Sequence, residues 1–330
     1  MRRDASLRSG TTCGPAWGVL RSHAIMLDFY DLLACPVCNT PLGPGLTCGP
    51  CARTFPVQDG RPILLRDPSL SPPKVNAVLD AQAAQRQGLR RSGLRGVADW
   101  IREATTASVF ADDSVQVPML VDRLQGTLPG NCIVEIGAGE QYYRRHLERL
   151  GRVIAADIAI YGATDLVADA HALPFRDGSV DALCVVEVLE HLERPWEFVR
   201  EAHRVLKPRG VLFGVTPQYC PTHGFPHDFF RYTRGGLTSL AQHGGLVLEE
   251  SWPLGGAWGT LLHWYWANHA RENPLRRIPG ISVGYHAWFH LVARVLDGLD
   301  ERDGRGTRTL RQEHHDHVGH SFVMRKPPSP

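Results

Sequence analysis

Residues Asn131 to Leu147, NCIVEIGAGEQYYRRHL, run from an apolar stretch into Gly-Ala-Gly and then into an amphipathic pattern. The run Cys132 to Ile136 reads as a buried strand, the glycines as a tight turn, and the residues after them as a helix. A strand, a glycine turn and a helix form the opening unit of a doubly wound sheet, where the missing side chain lets a ligand approach the backbone. A Gly-x-Gly alone is also read as a plain connection. Position 142 is Tyr, so the third glycine of a dinucleotide loop is missing. Glu140 would moreover compete with a pyrophosphate for the start of the helix.

Working outward, apolar runs and helical periodicities alternate. Strands are expected at 132–136, 152–157, 165–168, 180–186 and 210–215, with later ones at 246–252 and 320–326. Helices are expected at 74–91, at 114–125 with Val115, Met119, Val121 and Leu124 inward, and at 195–206 with Trp196, Val199, Ala202, His203 and Leu206 on one face. The fold class is α/β: a Rossmann-like, seven-stranded, mostly parallel sheet with helices on both faces. Carboxylates recur at the strand ends, with Glu135 in the first, Asp157 ending the second, Asp169 after the third and Glu187 after the fourth. Together they outline an acidic crevice where open sheets bind ligands. S-adenosylmethionine, with an ammonium, a sulfonium and a ribose diol but no phosphate, suits such a crevice better than a dinucleotide.

The segments VEIGAGEQ, AADI, ADAHALPFRDGSVDALCVVEVLEHL and AHRVLKPRGVLFGVTP, in that order, resemble the successive motifs of class I S-adenosylmethionine-dependent methyltransferases, in particular the type 11 group. The resemblance covers about residues 110 to 252. It implies that Glu135, Gly137, Ala138 and Gly139 line the methionine end and that Asp157 and Ile158 meet the ribose. It also implies that Asp169 and Ala170 meet the adenine and that Glu187 closes the site. Glu140 departs from the pattern, since many relatives have Gly there.

Cys35-Pro-Val-Cys38 and Cys48-Gly-Pro-Cys51 are two paired knuckles. Such spacing places four thiolates on one tetrahedral ion, and four Cys ligands leave no open position for catalysis. Residues 27–66 are therefore expected to be a structural zinc ribbon. The block also resembles ribbon modules fused to, or partnered with, bacterial methyltransferases. The expected order is a disordered extension at 1–26, the ribbon, a linker with helices at 67–109, a methyltransferase core at 110–254, a helical insertion or lid with a loop at 255–319, and a last strand and tail at 320–330.

Lys and Arg number 36 against 34 Asp and Glu, a formal charge of +2, so no global field argues for nucleic acid. No apolar run reaches the ~18 residues of a membrane span, and the first residues lack the apolar core of a secretory signal. A cytoplasmic protein is expected. Methyl transfer to a hydroxyl or amine requires a proton acceptor, and His191, His223 and His227 are candidates, with Arg231 beside the acceptor. His191 is also read as a capping or packing residue, and Thr233 as a helix cap with Phe229, Phe230 and Tyr232 packed behind it. The histidines of HHDHVGH, 314–320, read as a solvated loop. The aromatic-rich stretch 255–300 is open to four readings: lid, membrane surface, homodimer contact or core. The expected acceptor is a small molecule or a lipid- or glycan-linked group methylated at oxygen. RNA methylation and a non-catalytic scaffold are the alternatives, and oligomeric state is not legible.

Overall fold

The computed structural model describes residues 29–70, 113–161, 164–222, 226–254 and 318–328, with ten helical residues scattered between 260 and 302. The expectations for 1–26, for the helix at 74–91, for His223 and for most of 255–319 fall outside the described residues.

The expected core strands appear as β5 (Cys132–Ile136), β6 (Arg152–Asp157), β7 (Leu166–Ala168), β8 (Val180–Val186), β9 (Leu206–Pro217), β10 (Val247–Leu254) and β11 (Gly319–Arg325). Four short strands precede them: β1 (Thr47–Cys48), β2 (Arg53–Thr54), β3 (Val57–Gln58) and β4 (Arg61–Leu64). The large sheet runs β10-β11-β9-β8-β5-β6-β7-β4-β3. Strands β4 through β9 are parallel where they pair with one another in this sheet, whereas β11 lies antiparallel between β9 and β10. Every residue of β5 is buried, as a central parallel strand covered on both faces requires. Chain order reverses between β5 and β8, so the crevice expected of such a sheet opens beyond their carboxyl ends.

The sheet has nine strands rather than the seven expected, and the two extra ones come from the amino-terminal block. Ile63 pairs with Val167 and Leu64 with Ala168. The Ala34 N–H donates to the Pro174 carbonyl at 2.9 Å, and the Arg176 N–H to Leu32 at 2.8 Å. Phe29, Leu33, Leu46, Phe55 and Leu64 share one apolar cluster with Leu173, Phe175 and Phe198. The ribbon is thus built into the edge of the sheet.

Helix α1 (Asp113–Leu124) buries Val117, Leu120, Val121 and Leu124, an i, i+3, i+4, i+7 stripe. Val121 and Leu124 face inward as expected, whereas Met119 is only partly buried. Glycine and left-handed residues cut the helix expected after the turn to a single turn, α2 (Arg144–Leu147). Helix α3 (Pro195–Val205) starts at proline and buries Phe198, Val199, Ala202 and Val205. Trp196 is 39% exposed, and Leu206 already belongs to β9. Thr233 caps α4 (Arg234–His243) by accepting the Gly236 N–H at 3.1 Å. His320 is not in a solvated loop. It is buried in β11, with Nδ1 3.1 Å from Ser251 Oγ and Nε2 2.7 Å from Gln218 Oε1. None of the described helices is long and apolar enough to cross a membrane.

Candidate active site and zinc centre

At the exit of β5 the chain must turn sharply beneath β8. Gly137 has φ +69°, and a Cβ there would lie 2.5 Å from Val188 Cγ2. Gly139 has φ +48°, and a Cβ there meets nothing within 4 Å. The Ala138 N–H donates to the Ala156 carbonyl at 3.2 Å, tying the turn to β6. Gln141, at φ +58°, stops the helix from starting at once, so Glu140 faces solvent ahead of α2 rather than sitting in its first turn. The competition for a helix dipole expected from the sequence therefore does not arise here.

Glu135 is 4% exposed, and its Oε2 is buried without a hydrogen-bond partner among the described residues. Burial pushes its carboxyl up to about 7. Arg144 pulls the other way, and Asp157 and Asp165 add to the rise. A buried carboxylate oxygen beside a glycine turn is a fitting place for an ammonium group.

Asp157 closes the turn from the second strand. Its Oδ2 accepts the Gly139 N–H and its Oδ1 the Ala159 N–H, both at 2.9 Å. Burial raises its carboxyl, and these backbone donors oppose the rise. Ile158 packs with Ile63, Leu65 and Val167, so the ribbon's strand supports the loop that follows Asp157. Arg61 Nε donates to the Thr164 carbonyl at 2.7 Å, at the far side of that loop. After β7, Asp169 Oδ1 accepts both the backbone N–H of His171 at 2.9 Å and its ring Nδ1 at 2.7 Å. Ala170 is buried beside it.

At the exit of β8, Glu187 is held at φ +54°, where non-glycine residues are strained. Its N–H donates to the Val215 carbonyl at 3.0 Å. Glu190 is buried, with its Oε2 3.4 Å from Thr216 Oγ1. Burial pushes its carboxyl up to about 7, against a backbone hydrogen bond and one from Glu187. The Glu190 carbonyl accepts the N–H groups of Phe229 and Phe230 at 2.8 and 3.2 Å, which draws the 226–232 loop across the strand ends. His191 Nδ1 lies 2.5 Å from the His227 carbonyl, and its Nε2 lies 3.8 Å from Glu190 Oε1. His227 therefore meets His191 through its backbone while its ring lies 6.3 Å from that of Phe229. Arg231 pairs with both Asp228 oxygens and donates to the Cys220 and Pro221 carbonyls, clasping the loop.

The structure thus brings Glu135, Gly137, Gly139, Asp157, Asp169 and Glu187 to one end of the sheet. Sequence reading missed Glu190, Thr216 and His171. Glu190 stands three residues after Glu187 in the same motif, a spacing that one tight turn folds onto itself, and Leu189–His191 is such a turn.

The four ribbon cysteines place their sulfurs within 4.8 Å of one another, with Cys35 to Cys51 at 4.0 Å and Cys38 to Cys48 at 3.4 Å. Four thiolates at about 2.3 Å from a tetrahedral zinc lie roughly 3.8 Å apart. The cluster fits a structural zinc ion.

A methyltransferase domain family matches residues 134–214. A second family, described as Trm112p-like protein, matches residues 27–60. An uncharacterized methyltransferase of Mycobacterium tuberculosis is 31% identical over 199 residues, covering 54% of this chain and 76% of that protein. A Mycolicibacterium smegmatis protein, named as a probable S-adenosylmethionine-dependent methyltransferase, is 30% identical over 151 residues, covering 40% of this chain and 58% of that one. A solved complex containing the Haloferax volcanii Trm112 methyltransferase activator matches 78% of this chain and 99% of its own, with 19% identity and a TM-score of 0.44. The chain belongs to the methyltransferase family. It is an S-adenosylmethionine-dependent enzyme with an amino-terminal four-cysteine ribbon.

Proposed function

We propose that the enzyme methylates a hydroxyl of a small molecule or of a lipid- or glycan-linked acceptor. The observation that carries the reading is His191 at the exit of β8. Its Nδ1 faces the His227 carbonyl, which can only accept, so the neutral ring keeps its basic lone pair on Nε2. That nitrogen, 3.8 Å from Glu190 Oε1, is the base this reading assigns to the acceptor's proton. The bound S-adenosylmethionine supplies an electrophilic methyl group. Glu135 would hold its ammonium, the backbone at Gly137 to Gly139 its carboxylate, Asp157 its ribose hydroxyls, and Asp169 with Ala170 its adenine.

Asp157→Ala should weaken cofactor binding by about 1 to 3 kcal/mol, the scale of hydrogen bonds to a charged acceptor. Isothermal calorimetry with S-adenosylhomocysteine checks this. Unchanged affinity in a folded variant would place the ribose elsewhere.

The insertion 255–317 leaves β10 and returns at Val318, whose N–H donates to the Leu254 carbonyl at 2.9 Å. Leu254 and Val318 therefore stand at the end of the sheet where β9 finishes. RNA is the second reading, favoured by the Trm112p-like match. The ribbon's arginines speak against it: Arg53 and Arg66 donate to the Arg66 and Pro36 carbonyls, and Arg61 to Thr164. Methyl-labelled cofactor incubated with lipid, small-molecule and RNA fractions tests the choice. Label should leave the RNA fraction empty, and His191→Ala should lower transfer about 100-fold with cofactor affinity unchanged. Label in RNA alone would overturn the assignment.

A further inference from the structure

His171 stands one residue beyond the Asp169–Ala170 pair, and both of its ring nitrogens are engaged. Nδ1 lies 2.7 Å from Asp169 Oδ1, and Nε2 faces the Arg194 backbone N–H at 3.4 Å. A backbone amide only donates, so Nε2 must carry the lone pair. Nδ1 then carries the proton, which is what an ionised Asp169 accepts. Both neighbours thus select the same tautomer. The ring is clamped between the end of β7 and the start of α3, with side-chain exposures of 15% for His171 and 18% for Asp169.

Asp169 Oδ1 takes two hydrogen bonds, from the backbone and the ring of the same residue. No described residue donates to Oδ2. An aspartate on the backbone bond alone would keep its freedom to turn about χ2, whereas the ring contact removes it. Burial raises the Asp169 carboxyl, but the two His171 donors, with the charge of Arg194 nearby, bring it below the ordinary value, so it stays an acceptor.

We propose that His171 is a positioning residue for recognition of the cofactor's base, fixing Asp169 so that Oδ2 receives the 6-amino group of adenine. This rests on the reading of Asp169 as the adenine contact. A ring that merely filled space would serve equally well with any side chain of similar volume.

The test compares calorimetric affinities for S-adenosylhomocysteine and S-inosylhomocysteine, which carries an oxo group in place of the 6-amino group. The natural protein should prefer the adenosyl compound by roughly tenfold or more. Asp169→Ala should abolish that preference. His171→Asn keeps an N–H near the Nδ1 position and should retain most of it, while His171→Gln and His171→Ala should lose it. Melting without ligand confirms that each variant is folded, and the Asn and Gln pair decides if the Ala variant is not. If the Asn and Gln variants behave alike, the positioning role is overturned, while loss of preference in Asp169→Ala would still uphold the adenine contact. If Asp169→Ala itself keeps the natural preference, the adenine reading fails and the role of His171 fails with it.

Discussion

Replacing Cys48 and Cys51 with Ser, or stripping the metal with a strong chelator, is expected to unpin strands β3 and β4 and to lower cofactor affinity. Binding of a structural zinc carries about 10 to 16 kcal/mol in small modules, more than a ribbon of this size holds in its own core. Among the described residues the ribbon's own sheet is two strands of two residues each. Without the metal, Arg61 to Leu65 keep their pairing with β7 and β3 but lose the ribbon that anchors them from the other side. Opening of that pairing exposes the β7 edge and removes Ile63 and Leu65 from Ile158 and Ile160, on the loop that follows Asp157. Burying one aliphatic side chain is worth about 1.5 to 3 kcal/mol. A share of that, felt as loosening of the loop, should weaken S-adenosylhomocysteine binding about tenfold. Hydrogen exchange should rise at 61–65 and at 158–168 while β5 and β8 stay protected. Full metal loss with unchanged exchange at 158–168 and unchanged affinity would reduce the ribbon to a passive appendage.

The pairing behind that expectation was not legible in the sequence. Residues 165–168 read as a strand and Ile63 to Leu65 are apolar, but a parallel pair between segments about 100 residues apart leaves no local periodicity to detect. The strand ends were legible because parallel strands buried on both faces are continuous apolar runs, and a carboxylate that breaks such a run stands out. Glu135 was found that way, inside a strand that is otherwise apolar. Glu190 and His171 were missed because each acts through a partner brought up by folding: Thr216 from β9 for one, and the Arg194 amide for the other. The place of Met119 on α1 was misjudged for a plainer reason. Met119 is as apolar as the residues that proved buried, and only the sheet beneath decides which stripe faces inward.

Glu135→Gln is expected to make the ligand-free protein more stable and the enzyme a poorer binder of its cofactor. The Glu135 carboxyl is pushed up to about 7 by burial, against about 4.3 in an unfolded chain. Between those values the native state holds a proton that the unfolded state has released, so stability falls as pH rises through the window. Above it the loss is complete, on the order of 3 kcal/mol. Glutamine has nothing to ionise, so at pH 8 the variant should resist urea better than the natural protein by roughly 2 to 3 kcal/mol, and at pH 4 the two should match. Glu190, also pushed up to about 7, keeps its own share of the slope in both proteins. Binding should move the other way. A cofactor ammonium beside Oε2 would supply the missing partner, so the natural protein recovers on binding what it lost by ionising, and the variant cannot. S-adenosylhomocysteine affinity at pH 8 should fall about 10- to 100-fold, the worth of one charge-assisted hydrogen bond. Urea titrations and calorimetry from pH 4 to pH 8 follow both quantities. A variant with the natural pH slope, or one that binds the cofactor undiminished, would mean that Glu135 shares its proton with the neighbouring acids and faces no ammonium.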